Sequence, residues 1–341
     1  MGNSRKNTLA STIVLNASRS GNIDLPMGQV INQIRIRVTG TYGGIDGTLA
    51  AEFPFNIFRL LTVKTTKGAS PYAIPSKDLR IMNFEDKAGK TTFSAAGGVF
   101  VANFVLDRGE LMALRDADMP NPLDHPALPF GGLSLIVSWA QDADITTGAN
   151  TITGATAEIE VEQTPMTILE LQHLYGDKLE RYQMPEVYTK GDVAIVNNTK
   201  PTSALILDVG KLKKRSIIVT SDNSLVRSSS IVTEVQLVNA KQGWEKNPID
   251  RNFATIQNED VEGYNLSAAL AGVATIDYAE EIANNPWGFP SWRLGDKDLA
   301  IFTLNGNGNL RVIEDGKVIN PTAFETGNIL GVVVGPYPPK A

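Results

Sequence analysis

The sequence lacks cysteine altogether and contains only two histidines among its 341 residues. Without cysteine the chain has no disulfide, no thiolate ligand for a metal and no thiol nucleophile. Two histidines are too few for a histidine-rich metal centre. Folding therefore depends on an apolar core, and hydrophobic residues make up 42% of the chain, which is enough to build one.

Long apolar runs are also missing. No stretch approaches the ~20 apolar residues of a membrane-spanning helix, and the basic start Met1–Asn7 is not followed by an apolar run of signal-peptide length. We therefore expect a soluble protein that is made in the cytoplasm and not exported by a cleaved signal. The net charge of −6 argues against a general nucleic-acid coat, which requires a basic surface.

Catalytic motifs are scarce. His125 precedes a proline and His173 lies in a predicted helix, and neither is accompanied by a Gly-x-Ser-x-Gly elbow. Gly306-x-Gly308 lacks the third glycine of a phosphate-binding loop and is typical of a hairpin turn. We therefore predict no enzyme activity, no catalytic residue and no cofactor site.

Paired carboxylates are the remaining candidates for chemistry. Proximity in sequence does not place two carboxylates across a cleft, as a glycosidase requires. Asp142 and Asp144 have the oxygen ligands that Ca²⁺ prefers but not the full calcium-loop pattern, so a solvated turn and a calcium site both stay open. We assign no metal ligand. The pairs are Asp116/Asp118, Asp142/Asp144, Glu280/Glu281 and Asp296/Asp298.

The dominant pattern has a period of two residues. Gln33–Thr39 and Ala157–Glu162 alternate apolar and charged or polar residues, which is typical of antiparallel strands with one face on a core. Shorter runs predict further strands. They are Thr12–Leu15, Phe58–Thr65, Leu79–Phe84, Val99–Leu106, Leu133–Ala140, Ala204–Val209, Ser216–Thr220, Ile231–Val238, Tyr264–Leu270, Val273–Tyr278, Leu299–Leu304, Leu310–Ile313 and Ile329–Val334.

Helical patterns are limited to Arg108–Ala117 and Thr167–Tyr182. About eight strand candidates precede the second helix and about eight follow it, and eight strands in two sheets is the jelly-roll number. The sequence therefore predicts an all-β chain of two eight-stranded jelly rolls in tandem, with a short linker helix. The expected divisions are an N-terminal arm over 1–24, a first roll over 25–165, the linker helix over 166–189 and a second roll over 190–341.

Charged and aromatic clusters have simple structural interpretations. Glu158, Glu160 and Glu162 are expected on the wet face of a strand. The basic run Lys211, Lys213, Lys214 and Arg215 is expected in a solvated turn, with phosphate or lipid headgroups as the alternative.

Tryptophan is the other residue type with a possible binding role. Trp139 alternates with apolar residues and is predicted in the core. Trp287 and Trp292 lie in a proline-rich loop, where they anchor a subunit interface or fold back on their own domain.

The whole arrangement resembles the double jelly-roll major capsid proteins of tailless icosahedral phages with an internal membrane. The resemblance is carried by the polar N-terminal arm, the two β-blocks, the helix near their join and the long loops Asp116–Gly132 and Lys241–Gly263. It implies a homotrimer that forms a pseudo-hexameric capsomer and tiles an icosahedral shell. It also implies contacts with neighbouring capsomers and location in the virion, without specific nucleic acid or a small-molecule substrate.

In this family the arm faces the membrane or a neighbouring subunit, a role that Arg5 and Lys6 match by position. The alternative function is a carbohydrate-binding β-sandwich with Trp287 and Trp292 as its platform. A viral spike or tail protein is a third possibility, although the long repeats typical of it are missing.

Overall fold

Strands dominate the protein, and the all-β prediction is confirmed. The chain divides into two compact units, Met1–Met184 with Pro321–Pro336 and Pro185–Asn320 with Tyr337–Ala341. The computed structural model describes residues 6–26, 29–44, 49–50, 52–65, 70, 72–85, 93–107, 125–126, 133–145, 150–165, 185–195, 202–206, 211–223, 226–228, 232–239, 244–245, 249–250, 273–277, 298–304 and 308–318.

The first unit contains ten described strands and two described helices. The strands are β1 (Lys6–Val14), β2 (Ser20–Asp24), β3 (Gln29–Gly43), β4 (Phe58–Thr65), β5 (Tyr72–Ile74), β6 (Phe93–Ala96), β7 (Val99–Asp107), β8 (His125–Pro126), β9 (Leu133–Trp139) and β10 (Thr151–Pro165). The helices are α1 (Ser76–Glu85) and α2 (Asp142–Ile145).

The order of these strands identifies the fold of the first unit. One antiparallel sheet has the order β1-β10-β3-β7-β6, with β8 paired to β3, and the other contains β2-β9-β4-β5. Numbering the principal strands β1, β2, β3, β4, β5, β7, β9 and β10 from one to eight gives the sheet orders 1-8-3-6 and 2-7-4-5. Two sheets of four with this order are an eight-stranded jelly roll built from two Greek keys.

The second unit repeats this topology. Its sheets contain β11-β19-β13-β17 and β12-β18-β14-β15, with β16 paired to β14. Numbered in the same way without β16, its strands again give 1-8-3-6 and 2-7-4-5, so the double jelly-roll prediction is confirmed. The strands are β11 (Pro185–Ile195), β12 (Thr202–Ile206), β13 (Lys211–Ser221), β14 (Val232–Asn239), β15 (Trp244–Glu245), β16 (Ile249–Asp250), β17 (Val273–Asp277), β18 (Asp298–Leu304) and β19 (Gly308–Val318).

The core of the first roll lies between its two sheets. The alternating apolar residues of β3 and β10 face inward, and Val38 and Ile159 are fully buried. From the opposite sheet Phe58 and Trp139 pack with ring centroids 4.7 Å apart, and Phe58 also lies 5.8 Å from Phe104 of β7. Full burial of side chains of this size contributes about 1.5–3 kcal/mol each.

The predicted N-terminal arm over residues 1–24 is wrong for residues 6–24. Residues 6–14 form β1, which pairs with β10 from Lys6↔Gln163 to Val14↔Thr156, and residues 20–24 form β2. The predicted strand Thr12–Leu15 overlaps only the end of β1, and the polar residues before it concealed the rest. Thr8 and Thr12 lie on the exposed side of β1, while Ile13 enters the core.

Two predicted helices, Arg108–Ala117 and Thr167–Tyr182, lie outside the described residues. The predicted linker over 166–189 overlaps the second roll, because residues 185–189 belong to β11. The strand predictions Tyr264–Leu270 and Ile329–Val334 also lie outside the described residues.

The predicted strand Leu79–Phe84 is wrong, since these residues belong to the helix α1. Asp78, Leu79, Ile81, Met82 and Asn83 are all buried, so the helix shows no single apolar stripe from which its period can be recognised.

The start of α1 is tied to the polypeptide before β4. The buried Ser76 hydroxyl donates to the Phe55 carbonyl at 2.5 Å and accepts the Phe58 amide at 3.0 Å. The helix is thereby fixed at one end of the roll.

Asn83 of α1 closes part of the edge of the first sheet. Strand β6 pairs with β7 only from Val99 to Ala102. Beyond that point the Asn83 side chain donates to the Val105 carbonyl at 2.5 Å and accepts the Val105 amide at 3.0 Å. A single side-chain amide thus takes the place of a neighbouring strand, which limits the capacity of this edge to pair with another chain.

Two pairs of turn-type residues behave differently in the fold. Gly97 and Gly98 connect β6 to β7 with φ values of 62° and 79°, a left-handed conformation that favours glycine. Asp315-Gly316 does not reverse the chain, because both residues lie within β19. They pair with Arg215 and Lys213 of β13, where the register between the two strands shifts.

We expect Asn83→Ala to lower the free energy of unfolding by about 2 kcal/mol, because both main-chain groups of the partly buried Val105 lose their partner. Urea unfolding monitored by circular dichroism measures this change. The exposed Asn22 of β2 provides a control, and Asn22→Ala is expected to change stability by less than about 0.5 kcal/mol. Equal unfolding midpoints for the two variants would contradict the edge-closing role of Asn83.

Candidate functional surfaces

The residues considered as candidates for catalysis do not form a site among the described residues. His125 lies in the short strand β8, where its backbone is paired with Ile31, and His173 lies outside the described residues. Among the residues that the structure describes, no group of three or more histidine, cysteine, aspartate or glutamate side chains is placed to hold a metal ion. None of the described helices is long and apolar enough to cross a membrane.

The Asp142/Asp144 pair stabilises the connection between β9 and β10. The Asp142 Oδ2 atom lies 3.0 Å from Nη2 of Arg19, and its Oδ1 atom accepts the Ile152 amide at 3.1 Å. The Asp144 carboxylate accepts the Gln141 amide at 2.8 Å and caps the first turn of α2. Protein groups therefore engage both carboxylates, and we interpret the pair as structural.

Arg19 anchors the turn between β1 and β2 to the end of β9. Its backbone has a φ of 51°, which is uncommon for a residue other than glycine, and its amide donates to the Asn16 carbonyl at 3.0 Å. Its Nη1 atom donates to the Ala140 carbonyl at 2.5 Å, and its own carbonyl accepts the Trp139 amide at 2.8 Å. No local sequence pattern indicates this role, because the partner Asp142 is 123 residues away.

Three connections at this end of the first roll are joined by hydrogen bonds. The Ala50 amide donates to the Ile145 carbonyl at 2.7 Å, and the Asn56 side chain donates to the Asp144 carbonyl at 2.6 Å. Together with the Arg19 contacts, these bonds connect the β1–β2 turn, residues 49–57 and residues 140–145 into one surface, which we call the loop platform. These bonds fix the three connections relative to one another.

The glutamates of β10 face arginines of β3 on the outer side of the first sheet. Glu160 is directly opposite Arg35, and Glu158 is opposite Arg37. The Arg35 guanidinium lies 3.5 Å from Glu160 and 3.1 Å from Glu162. The solvent-exposed face predicted for the glutamates of β10 therefore also carries cross-strand ion pairs, with opposite charges on the neighbouring strands β10 and β3.

The basic run from Lys211 to Arg215 forms the start of strand β13. The predicted solvated turn is therefore wrong. Lys211 pairs with Val318 and Lys213 with Gly316, so this part of the chain is inside a ladder. The consecutive basic residues concealed the start of β13. Strand formation here depends on pairing with β19, about 100 residues later in the chain, and a local sequence pattern does not reveal that pairing.

The tryptophans differ in position. Trp139 is 1% exposed and packs in the core, as predicted. Trp244 begins the short strand β15, while Trp287 and Trp292 lie outside the described residues. The carbohydrate platform of Trp287 and Trp292 therefore stays a prediction.

No family model matches the sequence, and no curated protein was found to be similar to it. Similarity to solved structures is extensive. The major capsid protein (MCP) of Sulfolobus Turreted Icosahedral Virus (STIV) superimposes with a TM-score of 0.73 and 16% sequence identity. The match covers 92% of this chain and 97% of that chain. The major capsid protein P2 of bacteriophage PM2 gives a TM-score of 0.56 at 16% identity, and the match covers 92% of this chain and 98% of that chain. The PBCV-1 virus capsid model gives a TM-score of 0.57 at 8% identity, and the match covers 92% of this chain and 93% of that chain.

At these identities the similarity demonstrates a shared fold. The matched proteins are double jelly-roll capsid proteins, and the match covers both rolls of this chain. The resemblance predicted from the sequence is therefore confirmed at the level of the fold.

We expect Arg19→Ala to destabilise the first roll by about 1–3 kcal/mol, because the Ala140 carbonyl and the Asp142 carboxylate lose a partly buried charged donor. Arg19→Gly is expected to be less harmful than Arg19→Ala by about 1 kcal/mol, since glycine adopts the positive φ without steric cost. Thermal unfolding measures both, with Arg59→Ala at an exposed position of β4 as the control. A larger loss for glycine than for alanine would contradict the backbone argument.

We expect Arg35→Gln to lower stability by about 1 kcal/mol, because Arg35 is about two-fifths exposed and water weakens its attraction to Glu160 and Glu162. The loss should shrink in 1 M salt, where screening removes most of the interaction. Urea unfolding at low and high salt tests this, with Arg59→Gln at an exposed position of β4, outside the ion-pair surface, as the control. A loss that is independent of salt would exclude an electrostatic origin.

Proposed function

We propose that this chain is the major capsid protein of an icosahedral virus and that it serves as a structural subunit and not as an enzyme. The observation that carries the proposal is the repeated strand order 1-8-3-6 and 2-7-4-5, shared with capsid proteins over 92% of the chain. Fold alone does not specify function. Here, however, the matched structures cover both rolls, and those solved structures are viral capsid proteins.

The two equivalent rolls support a particular assembly. Three copies of a chain with two similar rolls present six similar units around a three-fold axis, which is a pseudo-hexamer. Closed rotational symmetry of this kind buries the lateral surfaces of every subunit. We propose that homotrimers form such capsomers and that contacts between capsomers tile the shell of the virion.

The role proposed for the predicted N-terminal arm applies only to residues that precede β1. Lys6 is already part of β1, where it pairs with Gln163, so of the two basic residues only Arg5 precedes the first strand. In this proposal Arg5 and its neighbours reach an internal membrane or an adjacent capsomer. The protein would be synthesised in the host cytoplasm before it assembles into the virion.

The carbohydrate-binding alternative has less support. Its platform residues, Trp287 and Trp292, lie outside the described residues, and the similar solved structures named above are viral capsid structures. No described residue provides a separate observation in favour of that function.

The mass of the purified protein in solution tests the proposal directly. We expect size-exclusion chromatography with light scattering to give three chains of 36.8 kDa each. Negative-stain images of the same fraction should show particles with three-fold symmetry and a nearly hexagonal outline. A folded monomer at all accessible concentrations would contradict the capsomer assembly. Folding should be verified by a cooperative thermal transition, so that misfolding is not mistaken for a monomeric state.

A further inference from the structure

The outer face of the first sheet has exposed charges that are not paired within the described part of the chain. Glu158 of β10 and Arg37 of β3 are both exposed and directly opposite each other. Neither side chain has a hydrogen bond or an ion pair to a described residue. The next position along these strands differs, because Arg35 binds Glu160 and Glu162. Glu158 and Arg37 are therefore available to a partner.

These two residues belong to a row of four side chains that crosses the sheet. In the order of the strands β1, β10, β3 and β7, the row consists of Thr12, Glu158, Arg37 and Asn103. We call it the charged row. Uncharged polar residues occupy its ends, and opposite charges occupy its centre. If the row is turned end for end, each central charge meets its opposite.

The neighbouring row has the same order from either end. It consists of Val14, Thr156, Thr39 and Val101 on the same four strands, and we call it the valine row. Val14 is 59% exposed, so an apolar side chain at one end of the row lies in water. Contact with a second valine row would place valine on valine and threonine on threonine.

A two-fold axis between β10 and β3, parallel to both strands, makes this face complementary to itself. Rotation about the axis places β10 of one copy over β3 of the other, and β1 over β7. Glu158 of each copy then faces Arg37 of the other copy, and Val14 faces Val101. Every contact occurs twice, which is the defining property of an isologous interface.

We propose that the outer face of the first sheet binds the same face of a second copy of the chain about this axis. The contact would remove the valines from water and give Glu158 and Arg37 partners of opposite charge. The inference goes beyond the proposed trimer, and only its placement between capsomers rests on the proposed function.

The size of the face predicts a weak contact. Four strands and four rows of side chains cover about 20 by 20 Å, so two copies together bury on the order of 1,000 Å². Interfaces of this size are typical of weak association. Covalent trapping is therefore more sensitive to this contact than the mass of the protein at equilibrium.

Cross-linking through an introduced cysteine tests the contact, because the chain has no cysteine of its own. In packed sheets the two copies of Thr39 lie about 11 Å apart across the axis, within reach of a short bismaleimide. We expect Thr39→Cys to form covalent dimers at least about tenfold faster than Asn22→Cys, an exposed position on the other sheet. Both rates are divided by the rate of labelling with N-ethylmaleimide, which corrects for thiol accessibility. Equal corrected rates would overturn the proposal.

Charge reversal then tests the role of the charged row. In the Thr39→Cys background, Arg37→Glu makes the centre of the row wholly negative, and Glu158→Arg makes it wholly positive. We expect each variant alone to lose at least about tenfold in cross-linking rate, because like charges meet across the axis. An equimolar mixture of the two variants is expected to recover the rate as mixed dimers, which mass spectrometry identifies. Mixing would not repair a defect within one chain.

Three further results would overturn the assignment. One is an undiminished rate in either variant alone, and another is a mixture that cross-links no faster than its components. The third is a set of covalent dimers within particles whose native mass stays at three chains, which would place the contact inside the trimer. A monomeric protein that still forms the Thr39→Cys dimers and the mixed dimers would contradict the trimer and support this contact.

Discussion

The register between β3 and β10 is the constraint on which the first roll depends. Ile36 lies opposite Ile159 on the core side, while Arg35 lies opposite Glu160 on the outer side. Because side chains alternate between the two faces, a shift of one strand by one residue would turn its charged residues into the core. Burial of unpaired charge costs far more than any single contact contributes, so the pattern selects one pairing.

The remaining elements of the roll depend on this pair of strands. Strand β10 lies between β1 and β3, and β7 extends the sheet on the other side. With this sheet in place, the connections at one end are held close enough for Arg19 to reach Asp142 and for Asn56 to reach the Asp144 carbonyl. The loop platform is therefore a product of strand register and not of local loop sequence.

Most strands were predictable because a half-buried strand carries its own signal. Strand β4 begins and ends where the sequence predicts it, at Phe58 and Thr65. The failures share one physical cause, which is that tertiary environment outweighs local pattern. Helix α1 is buried on several sides, and β1 is polar because one of its faces is exposed.

The candidate surfaces were less predictable than the strands. The sequence indicated that Asp142 and Asp144 form a notable pair, but not that Arg19 and the Ile152 amide bind Asp142. Likewise the glutamate row of β10 was recognised, whereas its pairing with Arg35 required the alignment of two strands. The topology of the fold determines which residues meet across more than 100 residues of chain. A local alternation of apolar and polar residues does not specify that topology.

The repeated strand order connects the fold with the proposed structural role. Each roll uses its own first and last strands as neighbours in one sheet, β1 beside β10 and β11 beside β19. A unit closed in this way resists local opening because its two terminal strands hold each other. Two such units in one chain provide the rigidity that the proposed shell subunit requires.

The pairing of β1 with β10 also determines when the first roll can fold during synthesis. Lys6 pairs with Gln163 and Val14 pairs with Thr156, so the partners of β1 are translated about 140–160 residues later. At about 5–20 residues per second, the ribosome takes roughly 8–30 s to make the chain between them. During that interval β1, which is uncharged from Asn7 to Val14, has no partner, and nascent chains on neighbouring ribosomes present the same strand. The rate of translation thus sets how long each new subunit is exposed to premature association.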